Sequence, residues 1–317
     1  MSVEGYRCSY CGGPLDVTPE TIVAVCEYCG HANWIVEEAK TEIFMVPSLP
    51  RDRIVKAFWN RVESDFDLSR IKSDISIQEI QAYYAPYWFA PAVAKARYEG
   101  YKTETYTDSK GHVHTRRKHV SGSFTINRFT GVIARRAVED MAIDEMEEHF
   151  VKTKPPETVL SKVDWESVKL RVLSPEYDEK VARNLILEEI WWMAKRRAES
   201  DVDELTKFEC DVWLIDKPRL VLLPYWLVVY RYKGGAYRVA FSGWDGAPLE
   251  ATEPVMLYHR VGYFIGALLG AAISGGGLAL GLTAQIWAAP IAGLVIGTVM
   301  SYVFGRKLTA DVRVEKG

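Results

Sequence analysis

Four cysteines near the start of the chain have the spacing of a metal site. Cys8 and Cys11 form one C-x2-C pair, and Cys26 and Cys29 form a second pair after fourteen intervening residues. Each pair forms a tight turn that directs two thiolates toward one ion, so two pairs complete a tetrahedral zinc site. Four thiolates leave no open coordination position. The sequence therefore predicts a structural, not a catalytic, Zn²⁺ ion in an N-terminal zinc ribbon.

The neighbours of the cysteines fit this interpretation. Gly12 and Gly30 each follow a pair, where the chain must turn with φ > 0. His31 is an alternative ligand close to Cys29, but we favour a surface turn residue because the four-cysteine set is already complete. Disulfides are the other alternative for the cysteines, and the spacing fits reduced thiols in the cytosol better.

The charge of residues 1–40 bears on what the ribbon binds. This segment holds six acidic and two basic residues, a balance of -4, in a chain whose net charge is -3. Nucleic-acid contact needs positive charge against phosphate. The balance therefore argues against nucleic acid and favours docking on a protein.

A long charge-free segment lies near the other end of the chain. Val261 to Gly305 spans 45 residues without a charge, between His259-Arg260 and Arg306-Lys307. A membrane-spanning helix needs about 20 apolar residues, so we predict a two-helix transmembrane hairpin, with helices near 261–282 and 285–304. Basic residues on both flanks favour a cytosolic location for both termini and for the large domain. The reduced thiols of the ribbon favour the same side.

Small residues recur every four positions in both predicted helices, which lets helices approach closely. They are Gly262, Gly266, Gly270, Ser274, Gly293, Gly297, Ser301 and Gly305. Packing of the two helices within one chain and assembly with another copy or another membrane protein explain the pattern equally well.

A short sequence motif, the Pro-Tyr-Trp phrase, occurs twice in the middle of the chain. Ala85-Pro86-Tyr87-Trp88-Phe89 leads to Tyr98-Glu99-Gly100, and Leu223-Pro224-Tyr225-Trp226-Leu227 leads to Tyr232-Lys233-Gly234. A helical segment precedes each copy, near 50–62 and 176–198, the second one opened by Ser174-Pro175. Strand-like runs follow each helix. We therefore predict two repeated helix-plus-antiparallel-sheet units, with the Pro-Tyr-Trp aromatics in the core. An aromatic binding groove is the alternative.

These patterns predict an α+β membrane protein with five segments: a zinc ribbon (1–40), a first α+β unit (41–155), a second unit (156–258), a transmembrane hairpin (259–306) and a cytosolic tail (307–317).

A basic stretch and an acidic stretch stand out in the first unit. Residues 110–119 include Arg116, Arg117 and Lys118, which could contact lipid headgroups or a protein partner. A solvated hairpin loop is the plainer interpretation, and a metal site at its histidines is the least favoured. Residues 139–148 are acidic and predict an amphipathic helix.

No catalytic motif is recognisable in the sequence. Cys210 stands alone in a predicted strand, as a small buried apolar residue. We therefore expect no enzyme activity and no small-molecule substrate.

The order of these motifs resembles the bacterial and archaeal membrane-anchored zinc-ribbon family. Its members often carry labels such as TFIIB-type or primosomal-helicase-like zinc ribbon. The resemblance implies a non-enzymatic membrane adaptor, in some bacteria acting beside PspA-like and flotillin-like proteins. It assigns only Cys8, Cys11, Cys26 and Cys29, as zinc ligands.

The expected function is a membrane scaffold whose ribbon recruits a protein partner, or that forms a homo-oligomer in the lipid. The alternatives are a membrane-tethered nucleic-acid-binding protein related to transcription, and an accessory subunit of a channel or transporter.

Overall fold

A computed structural model describes residues 6–18, 20–36, 41–107, 113–136, 141–168, 170–255, 257–284, 288–309 and 312–316. Three predicted features fall partly outside these residues: the start of the basic stretch, the start of the acidic stretch and the turn between the two apolar helices.

The described residues form seven helices and twelve strands. The helices are α1 (Arg51–Ser64), α2 (Phe66–Arg70), α3 (Ile143–Thr153), α4 (Trp165–Val168), α5 (Glu179–Ser200), α6 (Leu257–Ala284) and α7 (Ala288–Thr309). The strands are β1 (Val23–Val25), β2 (Ala32–Trp34), β3 (Ile43–Met45), β4 (Ser76–Thr107), β5 (Val113–Ile133), β6 (Thr158–Val159), β7 (Arg171–Val172), β8 (Glu204–Leu214), β9 (Arg219–Tyr232), β10 (Gly235–Ser242), β11 (Pro248–Pro254) and β12 (Val312–Lys316). The prediction of a mixed α and β fold is confirmed.

The chain divides into two compact units, each assembled from several segments. Unit one comprises Met1–Ile54, Gln81–Trp226 and Phe241–Leu249, and unit two comprises Val55–Ile80, Leu227–Ala240 and Glu250–Gly317. The division into five consecutive segments stays a prediction.

Long antiparallel pairing dominates unit one. Strand β4 pairs with β5 from Tyr87 opposite Ile133 to Thr107 opposite Val113, and with β8 between Ala92 and Tyr101. The sequence pattern predicts separate strands over 75–80 and 83–96, but β4 continues through 32 residues. The predicted loop at Arg116 is also wrong, because these residues extend β5. Both results follow from cross-strand hydrogen bonds, from β4 to the distant strand β8 and from β5 to β4, which local propensity does not report.

Helix α5 covers one face of this sheet through small side chains. Its N-cap is Asp178, whose side chain accepts a hydrogen bond from the Val181 N–H group at 2.7 Å. Ser174-Pro175 therefore does not open the helix. The buried face comprises Ala182, Ile186, Ile190, Ala194 and Ala198.

The buried face of α5 differs in part from the one that helical periodicity predicts, which comprises Val181, Leu185, Ile186, Ile190 and Met193. Val181 is exposed, whereas Ala182 and Ala194 share a core with Ala92, Ala94 and Ala96. Ala198 packs in a separate cluster with Tyr98 and Val202. Small residues on both sides let the helix lie close to the sheet, and each buried Ile contributes about 1.5–3 kcal/mol.

The repeated aromatics lie in the core of unit one, as predicted. Tyr87, Trp88 and Tyr225 are fully buried. The Tyr87 hydroxyl donates to the Ile143 carbonyl at 2.9 Å, and the Tyr225 hydroxyl donates to the Met141 carbonyl at 3.0 Å. Equivalent tyrosines of the two phrases therefore fix the same end of α3.

In unit two, the hairpin between β9 and β10 turns one residue earlier than the Gly234-Gly235 pair in the sequence predicts. Lys233 and Gly234 adopt φ values of 44° and 85°, and Gly235 already belongs to β10. A tight hairpin of this kind requires positive φ at both central residues. Lys233 therefore accepts a conformation that the sequence assigned to a glycine.

The last strand of unit two returns the chain to the strand that leads into the apolar helices. Strand β12, after α7, pairs antiparallel with β11, before α6, with Pro254 opposite Val312. Arg61 on α1 joins both strands through ion pairs to Glu253 at 2.6 Å and Glu315 at 2.8 Å. The predicted cytosolic tail is therefore a paired strand in this unit.

Candidate metal centre

Two turns present the four cysteines to a common point. The Gly12 N–H group donates to the Cys8 carbonyl at 2.9 Å, and the Gly30 N–H group donates to the Cys26 carbonyl at 2.8 Å. Both glycines have positive φ, 74° and 71°, which confirms the prediction made from their position after each pair.

The sulfur atoms have the separations that a tetrahedral ion requires. The Sγ atoms of Cys8 and Cys29 are 3.6 Å apart, as are those of Cys11 and Cys26. All four ligand atoms lie within 4.8 Å of one another. A metal–sulfur distance of about 2.3 Å places tetrahedral thiolates about 3.8 Å apart, whereas a disulfide needs about 2.05 Å. The residues therefore fit a single bound metal ion, and all four are free thiols.

The environment of each thiol differs. Burial raises the pKa of Cys8, but the backbone N–H groups of Cys11 and Tyr10 and the Asn33 side chain outweigh it and lower the pKa to about 6. Burial raises the pKa of Cys29 to about 12, with a contribution from the neighbouring thiols. Four sulfurs crowded together favour the protonated form at some of them until a cation neutralises the set.

Asn33 is a part of the site that sequence reasoning missed. Its Nδ2 donates to Cys8 Sγ at 3.6 Å and to the His31 carbonyl at 2.9 Å, while its Oδ1 accepts from the Ser9 N–H group at 2.8 Å. Hydrogen bonds of this kind hold a metal-binding side chain in the orientation that the ion requires. The sequence feature that could have identified Asn33 is its amide side chain in the short strand that follows the second cysteine pair.

His31 does not belong to the cysteine group, so the favoured interpretation as a surface turn residue is consistent with the structure. It is exposed and its ring stacks on Tyr10, with ring centroids 5.6 Å apart.

The ribbon is fixed on unit one by residues far along the chain. Trp165 packs against Gly30, where any side chain would collide with the indole, and its Nε1 donates to the Glu27 carbonyl at 3.1 Å. Arg171 forms ion pairs with Asp16 and with Glu27. Val23 and Val25 of β1 join the same core as α5. Part of the acidic charge of the ribbon is therefore neutralised within the chain.

The outward face of the ribbon carries exposed aromatic side chains. Tyr10 lies inside the first cysteine pair and is 78% exposed, and Tyr28 lies inside the second and is 62% exposed. Tyr6 is also exposed. Large aromatics in contact with solvent are enriched at protein interfaces.

The basic residues Arg116, Arg117 and Lys118 lie on β5 and pair with acids on neighbouring strands. Arg116 and Lys118 both reach Glu104, each at 2.9 Å, and Arg117 pairs with Glu204. All three side chains are more than half exposed, so these pairs contribute little to stability. They nevertheless reduce the positive charge that this surface offers to phosphate.

A serine, an aspartate and a histidine lie together near α3, but the hydrogen bonds between them do not suit nucleophilic catalysis. Asp245 accepts from Ser242 Oγ and lies 2.7 Å from Nε2 of His149. Burial raises the pKa of Asp245, and the hydrogen bonds from Ser242, the Ala247 N–H group and His149 more than reverse this. A nucleophile needs its proton directed at the base, so this cluster serves the turn at 242–247.

Helices α6 and α7 pack against each other through most of the predicted small residues. A side chain at Gly270 or Gly297 would overlap atoms of the facing helix, including Ser301 and Ser274. Gly266 faces Phe304, and Gly293 faces Gly277. Gly262 and Gly305 have open space around them. Contact within the chain therefore accounts for six of the eight predicted positions in the described helices.

The prediction of two membrane spans is supported for one helix. Among the described residues, Val261–Ala279 is long and apolar enough to cross a membrane, and 11% of it is buried. Helix α7 begins at Ala288 and reaches Arg306 after about 18 residues, or about 27 Å, slightly less than a hydrocarbon core of about 30 Å. Length and composition alone do not establish a span.

The chain matches no family model, no curated protein and no solved structure.

Proposed function

We propose that this chain is a non-enzymatic, membrane-anchored scaffold whose zinc ribbon docks a protein partner at the cytosolic face. The observation that carries the proposal is the presence, in one chain, of a closed four-thiolate set and a pair of helices without a charge between residues 261 and 305. The large apolar and aromatic side chains exposed on the described part of these helices are Val261, Phe264, Ile265, Leu268, Leu269, Ile273, Leu278, Ile291, Leu294, Val295, Ile296, Val299, Tyr302 and Val303. A surface of this size requires lipid or a partner.

Zinc is the metal that we assign to the cysteine set. Soft thiolate ligands in a tetrahedral arrangement select zinc or iron, and a closed set of four suits a structural role. The ion would neutralise the sulfurs and hold the two turns together. The protein then presents Tyr10 and Tyr28 on a rigid support, which is a suitable surface for a protein partner.

We also propose that both helices cross the membrane. Strands β11 and β12 flank the helix pair and are hydrogen-bonded neighbours, so the chain must leave and return on the same side. A single crossing would place these strands on opposite sides. Two crossings satisfy the pairing, and the flanking Arg306 and Lys307 favour the cytosolic side.

A protein is favoured over nucleic acid as the partner. The ion pairs of Arg116, Arg117 and Lys118 leave little unneutralised positive charge on β5. The resemblance to the membrane-anchored zinc-ribbon family suggests flotillin-like or PspA-like membrane proteins as partners. A second copy of the chain, or a channel or transporter subunit, is the alternative partner.

The proposal is tested with the full chain purified from membranes in mild detergent. We expect one zinc per chain by elemental mass spectrometry and a stoichiometric membrane protein among the co-purifying proteins. In a Cys26→Ser/Cys29→Ser variant, both the zinc and the partner should be lost, because the ribbon no longer closes.

Cys210→Ser is the matched control, since Cys210 lies outside the metal group. This variant should retain both zinc and partner. Unchanged partner binding in the double variant would contradict the role of the ribbon. Epitope tags at both ends test the topology, because two crossings require protease to remove both tags from the same side of sealed vesicles.

A further inference from the structure

A cavity in unit one lies between the two aromatic phrases. Its volume is about 740 Å³, within the range of about 300–1,000 Å³ that small-molecule sites occupy. Its apolar wall includes Met45, Leu49, Tyr84, Val168, Leu170 and Trp226. Tyr84 precedes the first Pro-Tyr-Trp phrase, and Trp226 belongs to the second.

One buried hydroxyl in this wall lacks a hydrogen-bond acceptor. The Tyr84 hydroxyl is enclosed, and the Ser48 backbone N–H group approaches its oxygen, but no group among the described residues accepts its proton. Burial raises the pKa of Tyr84, and the backbone N–H group of Ser48 opposes this rise. The Trp226 indole, in contrast, donates to Ser48 Oγ at 3.0 Å. A buried hydroxyl without an acceptor is rare in a folded protein and costs about 1–3 kcal/mol.

The remaining polar lining is more cationic than anionic. Arg51 and Lys162 line the cavity, and both side chains are exposed to solvent. No ion pair of either is found among the described residues. The one acid among the described lining residues is Asp164, which has an interaction of its own. The lining therefore offers hydrogen-bond donors and positive charge beside an apolar wall, and the matching ligand is an apolar molecule with an anionic acceptor.

We propose that this cavity binds a small monoanionic amphiphile, an aliphatic chain that ends in a carboxylate. The chain lies against the apolar wall. The carboxylate supplies the acceptors that the donors Tyr84, Arg51 and Lys162 lack. This proposal concerns a bound ligand, not a substrate, and does not depend on zinc or on a protein partner.

The probe is octanoate, titrated calorimetrically into the full chain in detergent micelles, with 1-octanol as the uncharged counterpart. We expect saturable binding of octanoate and about tenfold weaker binding of octanol, because the charged contact is lost. Arg51→Gln/Lys162→Gln should weaken octanoate about tenfold and leave octanol unchanged. Tyr84→Phe should weaken octanoate about fivefold without lowering the melting temperature.

The controls separate the cavity from the exposed helices. Val168→Phe narrows the cavity and should abolish saturable binding, whereas Lys180→Gln/Lys217→Gln removes two exposed cations elsewhere and should change nothing. Equal, non-saturating uptake by all variants would overturn the proposal, since it would place the probe on the apolar helices. Equal affinity for octanoate and octanol would overturn the assignment of an anionic ligand.

Discussion

At the residue scale, Asn33 links the metal site to the ribbon that contains it. One side chain reaches a thiolate, a turn carbonyl and the backbone of the first cysteine pair. It is buried, so each of these contacts is protected from water. Removing it leaves the buried Cys8 sulfur and the Ser9 N–H group with fewer partners.

Asn33→Ala should therefore weaken metal retention without removing any ligand. We expect an affinity for zinc about 10–100-fold lower than that of the wild type, measured by competition with a chromophoric chelator. Asn127→Ala is the matched control, because Asn127 is exposed on β5. Equal affinities in both variants would show that Asn33 has only a structural role in the strand.

Glu147 is a second residue whose surroundings predict a measurable effect, here on the pH dependence of stability. It is buried and accepts from the Gly131 N–H group at 2.9 Å, with Arg128 at 3.3 Å. Burial raises its pKa above the ordinary value of 4.5, although Gly131 and Arg128 act in the opposite direction. The folded state therefore holds a proton that the unfolded state releases, and stability falls as the pH rises from 4.5 through the raised pKa.

Glu147→Gln should remove this part of the pH dependence, because the amide still accepts from Gly131 but does not titrate. Urea unfolding between about pH 4 and pH 7 measures the slope. The exposed Glu42 provides the control, since Glu42→Gln removes a carboxyl group that does not act on Glu147 and should leave the slope as it is in the wild type. An unchanged slope in Glu147→Gln would contradict the raised pKa.

At the element scale, the pairing of α6 with α7 depends on specific glycines. A side chain at Gly297 overlaps Ser274 and the carbonyl of Gly270 on the facing helix. Backbone atoms cannot rotate away as a flexible side chain would. The helices must therefore separate if this position is enlarged.

Gly297→Leu should lower the stability of the helix pair by about 1–3 kcal/mol, seen as a lower melting temperature in a fixed detergent. Gly276→Leu is matched to it, because both changes add helix propensity but Gly276 faces open space. The difference in melting temperature between the two variants measures the effect of steric overlap with the facing helix. Similar melting temperatures would mean that the helices do not pack as described.

At the scale of the whole molecule, the apolar helices form a replaceable insertion between two paired strands. Pro254 in β11 lies opposite Val312 in β12, so a short turn can close the gap that α6 and α7 now fill. The Arg61 ion pairs hold both strands independently of the helices. The exposed apolar surface on the helices would disappear with them.

A chain in which a Gly-Ser turn of about four residues replaces residues 256–311 should remain soluble without detergent and should still bind one metal ion. Size-exclusion chromatography with elemental analysis measures both properties. The intact chain should aggregate under the same conditions. Aggregation of the shortened chain would instead point to a second apolar surface outside the helices.

The sequence alone determined the features that depend on local spacing. Two C-x2-C pairs define a metal site because each pair is a complete turn, and Gly12 and Gly30 follow from the same geometry. The charge-free run from Val261 defines apolar helices because composition alone decides their environment. The amphipathic face of α1, with Ile54, Phe58 and Val62 buried, follows from helical periodicity.

Only the tertiary structure decided the features that join distant segments. Trp165 and Arg171 meet the ribbon about 140 residues away, and no local pattern marks them as its neighbours. The continuity of β4 and the tail strand β12 depend on partners that supply hydrogen bonds across the fold. The choice between packing within the chain and assembly between chains at Gly270 and Gly297 also required the facing helix, because both arrangements use the same small residues.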